Sequence, residues 1–259
     1  MKYFLIPLFI LFFSSNSYSN KLLSHKAYYN LILEQLERSS LLESGNGKST
    51  YLFKKSCSGW LLKENLVLTF NLSNNKSANT FSKFETFEDF LSQDFSFDHY
   101  DKSDISGILN YQGFVRKEKK KLKGMLIENK LHQIEFAEKI LFPTEHLIKL
   151  IELAKQKKRF FYSNVFFGSS KENLVKKVSA FIGKEKNISI KINSKILKQK
   201  IWPIRLAFFN FKSGRSSPET EISIELDEGG VIHNYEVDYG DYKMVAVLDK
   251  IEKIEDESC

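Results

Sequence analysis

Apolar and polar residues alternate along much of the chain. This period of two is clearest in three stretches: Ala27, Tyr29, Leu31 and Leu33; Ile204, Leu206 and Phe208; Ile222, Ile224 and Leu226. Successive side chains of a strand point to opposite faces of a sheet, so each stretch predicts a strand with one buried face. Aromatic and β-branched residues predict further strands at 51–53, 66–70, 160–167 and 231–239. The pattern therefore predicts a mainly β protein.

Glycine-containing turn signals separate these strands. They lie at 44–47, 213–214, 228–230 and 239–241. Glycine adopts the positive φ angles that many tight turns require, so we expect the chain to reverse its direction at each of these sites.

One segment departs from the alternation. Its apolar residues recur three and four positions apart, at Leu147, Ile148, Ile151 and Ala154. This spacing predicts an amphipathic helix from Thr144 to about Lys157, with Thr144 as the N-cap and Glu145 at the positive end of the helix dipole. A single helix among strands most often braces a curled sheet, and binding to a membrane surface is the alternative.

The N-terminal residues are typical of an export signal. Lys2 precedes an apolar run at 3–13, and the polar stretch 14–19 ends in a small-x-small pattern that a signal peptidase can cleave. The apolar run is shorter than the roughly 20 residues that cross a bilayer, and no later run is long enough either. We therefore predict a signal peptide at 1–19 and a single exported domain at 20–259, without a transmembrane segment.

Two cysteines occur in the whole chain, Cys57 and the terminal Cys259. In an oxidising compartment a free thiol at a chain end tends to form disulfides with other chains. Because the number of cysteines is even, we favour a disulfide between the two within the chain. The alternative is that Cys57 is a small core residue and Cys259 an idle thiol.

The charge balance is moderately basic, with 39 basic and 32 acidic residues and a formal net charge of +7. Lysines cluster at 117–123 and 184–200. In a β-rich protein such clusters usually lie at solvated hairpin ends or protect sheet edges, and an anion-binding patch is the alternative. Because the chain is predicted to be exported, we do not expect nucleic acid as a partner.

The sequence GNGKST at 45–50 is similar to the end of a phosphate-binding loop. The full motif requires a glycine at position 42, which is occupied by Leu42. It also requires a helix immediately afterwards, whereas 51–53 predicts a strand. We therefore predict a lysine-bearing hairpin turn here and no nucleotide binding.

No group of residues predicts a metal, a cofactor or covalent catalysis. The five histidines have no i,i+4 pair and no neighbouring cysteine cluster: His25, His99, His132, His146 and His233. The GxSxG sequence of a serine hydrolase is missing, and both cysteines are assigned to the disulfide.

Acidic pairs are the remaining candidates for chemistry. They are Glu85 with Glu88, Asp238 with Asp241, and Glu145 with the neighbouring His146. Two carboxyl groups that flank a glycosidic bond can hydrolyse a glycan, but spacing in sequence does not fix their separation in space. Turn, surface and helix-capping roles are the alternatives.

Six landmarks follow one another along the chain. They are SHKA at 24–27, CSGW at 57–60, FPTEH at 142–146, WPI at 202–204, DYGD at 238–241 and the terminal Cys259. In this order and spacing they resemble the EipB family of bacterial periplasmic cell-envelope integrity proteins, over about Ser24 to Cys259. The chain departs from the family in its lysine-rich loops and at Phe87, where a Thr-Trp-Glu pattern would place tryptophan.

The resemblance implies a long antiparallel sheet curled into a barrel-like β-spiral, with one central helix at about 144–157 and a disulfide between Cys57 and Cys259. It also implies a periplasmic location and a fold similar to lipoprotein carriers and outer-membrane stress sensors. We expect a non-enzymatic protein that supports the cell envelope by binding a periplasmic protein, a lipoprotein or an acyl chain. A carboxylate-dependent hydrolase of envelope glycans and a purely structural scaffold are the alternatives.

Overall fold

The computed structural model describes most of the chain after the predicted signal peptide. The described residues are 22–35, 42–73, 75–119, 121–169, 171–188, 192, 194–212, 214, 216–240 and 242–259. The predicted signal peptide at 1–19, one half of the turn at 213–214 and the last residue of the turn at 239–241 lie outside these ranges.

The described residues form fifteen strands and one helix. The strands are β1 (His25–Gln35), β2 (Leu42–Lys55), β3 (Gly59–Leu72), β4 (Lys76–Asp89), β5 (Asp94–Ser103), β6 (Gly107–Glu118), β7 (Lys121–Ile127), β8 (Leu131–Phe136), β9 (Phe160–Phe166), β10 (Val175–Ile182), β11 (Lys186–Asn187), β12 (Lys200–Asn210), β13 (Thr220–Asp227), β14 (Ile232–Asp238) and β15 (Tyr242–Lys253). The helix is α1 (Pro143–Lys155), between β8 and β9.

The strands form one antiparallel sheet whose order is β8-β7-β6-β5-β4-β3-β2-β1-β15-β14-β13-β12-β10-β9, with β11 paired to β12. The pairing of β1 with β15 joins the two halves of the chain in the middle of the sheet. The two outermost strands do not pair with each other, and an isolated parallel bridge links Leu141, before α1, to Val165 of β9. The predicted fold, a long curled antiparallel sheet with one helix, is confirmed.

Helix α1 packs against the concave, inner face of the sheet. Its residues Leu150, Ile151 and Ala154 are buried in one cluster with inward side chains of six strands. These strand residues include Phe53, Trp60, Val165, Val178, Ala180, Ile182, Trp202, Ile204, Leu206, Ile224 and Leu226. Each strand supplies alternate residues, as a pleated sheet requires. The helix therefore fills the space around which the sheet curls.

An aromatic cluster closes the N-terminal end of α1. The Phe95 ring lies 5.1 Å from the Phe142 ring and 5.6 Å from the Phe166 ring, and Phe97 lies 5.6 Å from Phe166. These four rings come from β5, β9 and the residue before α1, so they connect both halves of the spiral to the start of the helix. Burying such rings is worth about 1.5–3 kcal/mol each.

The start of α1 differs from the prediction at Thr144. The helix begins with Pro143, and the N-cap position is Phe142. Proline is favoured at the first helical position because its missing N–H would have no partner within the helix. Thr144 is therefore inside the first turn, where its backbone N–H donates to Glu88 Oε2 at 3.0 Å. The predicted Thr144 cap was wrong, since a carboxylate from β4 satisfies the N–H group instead.

The predicted turn at 44–47 was also wrong, because these residues lie inside β2. Gly45 lies opposite Leu33 of β1 and Phe70 of β3, and Gly47 lies opposite Leu68 of β3. A Cβ atom on Gly47 would approach Leu68 Cδ2 to 2.6 Å. The glycines therefore make room for large side chains on the inner face, and pairing on both sides outweighs their turn propensity.

We predict that Gly47→Ala destabilises the protein. The added methyl group would overlap Leu68 and the backbone of β3, and such overpacking costs about 1–3 kcal/mol. Urea denaturation would measure the loss as a lower transition midpoint. Gly214→Ala is the matched control, because a Cβ there meets no described atom within 4 Å. Equal effects of the two substitutions would contradict this account.

Candidate functional site

The disulfide joins Cys57, in the turn between β2 and β3, to Cys259 at the chain end. The two Cα atoms are 5.6 Å apart, although 202 positions separate the residues in the sequence. Both cysteines are exposed, so the bond lies at the surface.

Hydrogen bonds position the C-terminal tail beside this disulfide. Glu257 pairs with Lys54 at 3.2 Å and accepts the Cys57 N–H at 3.2 Å. Ser24 donates to Asp256 at 2.5 Å and accepts the N–H of Lys55 at 2.9 Å. The tail therefore contacts the start of β1 and the end of β2 at one end of the spiral.

A cavity of about 1140 Å³ lies on the convex side of the sheet, across β9, β10 and β12 to β15. We call it the outer groove and define it by Phe160, Phe181, Pro203, Arg205, Val245 and Val247. Ile182, Ile204 and Leu206 pack against α1, so their neighbours in sequence point to the opposite face. The outer groove therefore lies on the face opposite α1, and Ile204 and Ile224 of the core also contribute to its lining.

Exposed apolar side chains form both ends of the outer groove. Phe160 is 76 % exposed and lies 5.4 Å from Phe181, which is 49 % exposed. At the opposite end, Val247 is 42 % exposed and Val245 is half-buried. A group of large apolar side chains left in contact with water is typical of a binding surface.

Polar groups without partners lie between these two ends. Arg205 is exposed between Phe181 of β10 and Ser223 of β13, and it makes no ion pair with any described residue. Asn234 donates to Glu225 at 2.8 Å, but its Oδ1 atom is buried without a described partner. Glu225 and Glu236 also line the groove and pair with Lys186 and Lys243, so Arg205 is the cation that remains for a ligand among the described lining residues.

Glu88 is a buried carboxyl group at the N-terminus of α1. Removal from water raises the pKa of Glu88 to about 7, although the N–H and hydroxyl groups of Thr144 favour its ionised form. The neighbouring Glu145 also raises this pKa by charge repulsion, and Lys117 opposes the rise. Glu88 therefore changes its protonation state within the neutral pH range.

A second carboxyl group, Glu64, lies on the inner face of β3. Ser49 donates to Glu64 Oε1 at 3.2 Å, and Tyr51 lies opposite it in β2. Burial raises the pKa of Glu64, and the Tyr235 hydroxyl group is close enough for Glu64 to raise the pKa of that tyrosine in turn. This arrangement can hold a hydrogen-bonding ligand group, but no second carboxyl group is placed against Glu64 among the described contacts.

The predicted acidic pairs do not form a joint site. Glu85 and Glu88 are three positions apart in β4, so they lie on opposite faces, and Glu85 pairs with Lys63 at 2.9 Å. Asp238 accepts the N–H of Gly240 at 2.8 Å in the turn after β14, and Asp241 lies outside the described residues. The pair Glu85 with Glu88 is therefore excluded as a two-carboxylate centre.

Glu145 and His146 have separate roles. The Glu145 carboxylate accepts the Phe142 N–H at 2.7 Å and pairs with Lys117. His146 is buried and lies 5.6 Å from the Phe161 ring, and burial lowers its pKa to about 4. His146 is therefore neutral at neutral pH, and Glu145 acts as a helix cap.

The other sequence candidates lie apart from one another. Among the described ranges, no group of three or more His, Cys, Asp and Glu side chains could hold a metal ion. His233 donates through Nε2 to Asp227 Oδ2 at 3.0 Å in a fully buried pair. The GNGKST stretch continues as β2, so its backbone does not form a phosphate-binding loop.

Sequence reasoning missed the outer groove. In β9 and β10 the inward-facing positions are already mostly apolar, and Phe160 and Phe181 lie at the outward-facing positions between them. In β12, Arg205 lies between the inward-facing Ile204 and Leu206. Aromatic residues at outward-facing strand positions indicate an exposed binding face. Which strands bring them together depends on pairings between residues far apart in the sequence.

Within the described part of the chain, no helix has the length and apolar character needed to span a bilayer. Helix α1 has 13 residues.

The curled open sheet, its central helix and the disulfide at one end define a β-barrel-like protein. A crystal structure of a β-barrel-like protein from Brucella abortus, assigned to a domain of unknown function, has the same fold. It aligns with a TM-score of 0.83 and 24% identity, over 91% of this chain and 99% of the other.

The chain belongs to the EipB-like family, whose model matches residues 17–255. It is also similar to the cell envelope integrity protein EipB of Brucella abortus (strain 2308). The two sequences are 25% identical over 237 residues, which cover 90% of this chain and 84% of the relative. This relationship indicates a role in cell envelope integrity.

We predict that Cys259→Ser strongly destabilises the protein. Opening a loop of 202 residues removes a constraint on the unfolded chain that is worth about 5 kcal/mol on the loop-entropy model. Urea denaturation of the oxidised protein would measure this loss. The double variant Cys57→Ser/Cys259→Ser and reduced wild type should match the single variant.

Glu257→Gln is the control for the tail, since it removes the exposed contact with Lys54 and keeps the disulfide. We expect only a small change in its midpoint. A Cys259→Ser variant as stable as wild type would show that the disulfide does not constrain the unfolded chain.

We predict that Glu88→Gln reduces the loss of stability at rising pH. The folded-state pKa of Glu88 is raised from 4.5 to about 7, so the folded protein binds the proton more tightly than the unfolded chain does. Stability from this group is present below pH 4.5 and is lost as the pH rises towards 7. At pH 8 we expect the glutamine variant to be more stable than wild type by up to roughly 3 kcal/mol.

Thermal unfolding of both proteins at pH 5 and pH 8 would measure this difference. Burial of His146 acts in the opposite direction at acid pH, but it contributes equally to both proteins and cancels in the comparison. Glu85→Gln on the outer face is the control and should leave the pH dependence unchanged. A constant difference between wild type and Glu88→Gln at both pH values would refute the assignment.

Proposed function

We propose that this chain is a non-enzymatic periplasmic protein that supports cell envelope integrity by binding the acyl chain of a lipid or lipoprotein in the outer groove. The observation that carries the proposal is the exposed apolar groove ending at Phe160 and Phe181. Family membership supports the role in the envelope. The acyl chain is the part of such molecules that an apolar groove recognises.

The size of the outer groove suits a lipid chain. Its volume of about 1140 Å³ is slightly larger than the roughly 300–1,000 Å³ of typical small-molecule sites. Each exposed phenylalanine gains about 1.5–3 kcal/mol when it is fully removed from water. Contact with Phe160 and Phe181 can therefore supply a large part of the affinity for hydrocarbon.

The packed interior also favours an external site. Leu150, Ile151 and Ala154 of α1 fill the concave face where a curled sheet could otherwise hold hydrocarbon. A ligand on the convex face needs no displacement of these side chains. The outer groove is therefore the surface that can accept an acyl chain without loss of folding energy.

Export and a single mature domain are part of the same proposal. A surface disulfide is typical of proteins outside the cytosol, which supports a periplasmic location. The sheet runs from His25 to Lys253, which supports one functional domain at 20–259 after removal of the signal peptide at 1–19. The sequence and the disulfide thus agree on an envelope compartment.

The hydrolase alternative makes a distinct prediction. An enzyme would release soluble fragments from purified cell-wall sacculi, whereas a binding protein would not. The separation of Glu85 from Glu88 on opposite faces of β4 supports the non-catalytic proposal. Release of fragments that increases with time and with protein concentration would contradict it.

We predict that Phe160→Ser/Phe181→Ser weakens binding of an acyl chain at least about tenfold, because both exposed rings are lost as a contact surface. Fluorescence titration with cis-parinaric acid would measure the dissociation constant. Native mass spectrometry of wild type purified from the periplasm of its own organism should detect retained lipid or lipoprotein.

Leu91→Ser/Ile108→Ser is the matched control. These apolar residues are 88 % and 69 % exposed but do not line the outer groove. The control should bind cis-parinaric acid as wild type does. Equal binding by all three proteins would overturn the assignment of the outer groove, and absence of binding by wild type would favour the purely structural scaffold.

A further inference from the structure

A second cavity, of about 860 Å³, lies where α1 ends and β12 begins. We call it the basic pocket. The cationic side chains that line it are Lys155, Lys157, Lys158, Arg159, Lys184, Lys198 and Lys200. Two carboxylates face them, Glu185 and Glu228, so the pocket has an excess of five positive charges.

Some of these cations are neutralised within the protein. Lys200 pairs with Glu185 at 2.8 Å. Lys155 and Lys198 share Glu228, at 3.4 Å and 3.7 Å. Both carboxylates of the basic pocket are therefore already engaged.

The other cations have no acidic partner. Arg159 donates through Nη1 to the backbone oxygen of Ile182 at 3.0 Å, which fixes its position without cancelling its charge. Lys157, Lys158 and Lys184 are exposed and form no ion pair with any residue in the described ranges. Four positive charges thus remain for a ligand, against a partial negative charge of about one half from the C-terminus of α1.

The basic pocket is continuous with the outer groove. Gly183 lines both cavities. Trp202 and Ala154 of the pocket belong to the core on the helix side of the sheet, whereas Phe160 and Pro203 of the groove lie on the opposite face. The cationic and apolar surfaces therefore meet at Gly183, just after β10, and an elongated ligand that contacts both passes around this strand end.

We propose that the occupant is a lipid with a phosphate monoester head group, whose phosphate lies in the basic pocket and whose acyl chain lies in the outer groove. This inference rests on the proposed function and adds the head group to it. A phosphate monoester carries a charge of about −1.5 to −2 at neutral pH, with three acceptor oxygens. It neutralises Lys157, Lys158 and Lys184 better than a single carboxylate does, through charge-assisted hydrogen bonds.

Three probes separate the parts of this ligand. Lysophosphatidic acid has the phosphate monoester and one acyl chain, lysophosphatidylcholine has the same chain with a neutral head, and glycerol 3-phosphate has the head alone. Isothermal titration below the micelle concentration measures each affinity. We expect wild type to bind lysophosphatidic acid at least about tenfold more tightly than lysophosphatidylcholine, and this preference to fall as salt screens the charges.

The test variant is Lys157→Gln/Lys158→Gln/Lys184→Gln. We expect it to lose the preference for lysophosphatidic acid while its binding of lysophosphatidylcholine is unchanged. The control is Lys48→Gln/Lys83→Gln/Lys102→Gln, which removes three exposed lysines that also lack ion pairs with described residues and so gives the same net charge. The control should keep the preference, and circular dichroism checks that both variants are folded.

Each other result has a defined meaning. An equal loss in both triple variants, or no loss in either, would overturn the head-group assignment. Equal binding of both lysolipids by wild type, abolished by Phe160→Ser/Phe181→Ser, would leave the proposed function standing and overturn this inference. Binding of glycerol 3-phosphate as tight as that of lysophosphatidic acid would identify a site for free phosphate esters, and no binding of either lysolipid would reject the proposed function itself.

Discussion

The packing of α1 against the concave face of the sheet is the contact on which the rest of the structure depends. Leu150, Ile151 and Ala154 meet inward side chains from both halves of the sheet. A single open sheet of this length cannot bury its own apolar face, so it must curl around something that covers it. The 13-residue helix therefore fills the interior of the curled sheet with side chains.

Strand pairing and the disulfide both hold the C-terminal tail beside β1 and β2. β1 pairs with both β2 and β15, which places the first and last strands side by side in the middle of the sheet. Cys57 and Cys259 then join the β2–β3 turn to the tail that follows β15. The hydrogen-bonded pairing of β1 with β15 sets the position of the tail in the folded protein, and the disulfide lowers the entropy of the unfolded chain. Their contributions to stability therefore add.

Opposite faces of the same strands perform different tasks. In β12, Ile204 and Leu206 pack against α1, while Arg205 between them faces the outer groove. In β10, Phe181 faces the groove while Ile182 is in the core. The lysines around the end of α1 line the basic pocket, which lies on the helix side of the sheet and meets the outer groove at Gly183. Residues of the core and of the proposed binding surface can therefore be substituted independently, because alternate side chains of a strand point to opposite faces of the sheet.

The sequence by itself determined the strands with one apolar face, the helix around Ile151, and the pairing partner available to Cys57, because these follow from local periodicity and from composition. It did not determine that 44–47 would be strand, since that depends on Leu33 and Leu68 approaching the two glycines from neighbouring strands. Nor did it place Phe160 beside Phe181 or Lys157 near Lys184. Those neighbours arise from strand register and from the curl of the sheet, which only the long-range packing of the folded chain decides.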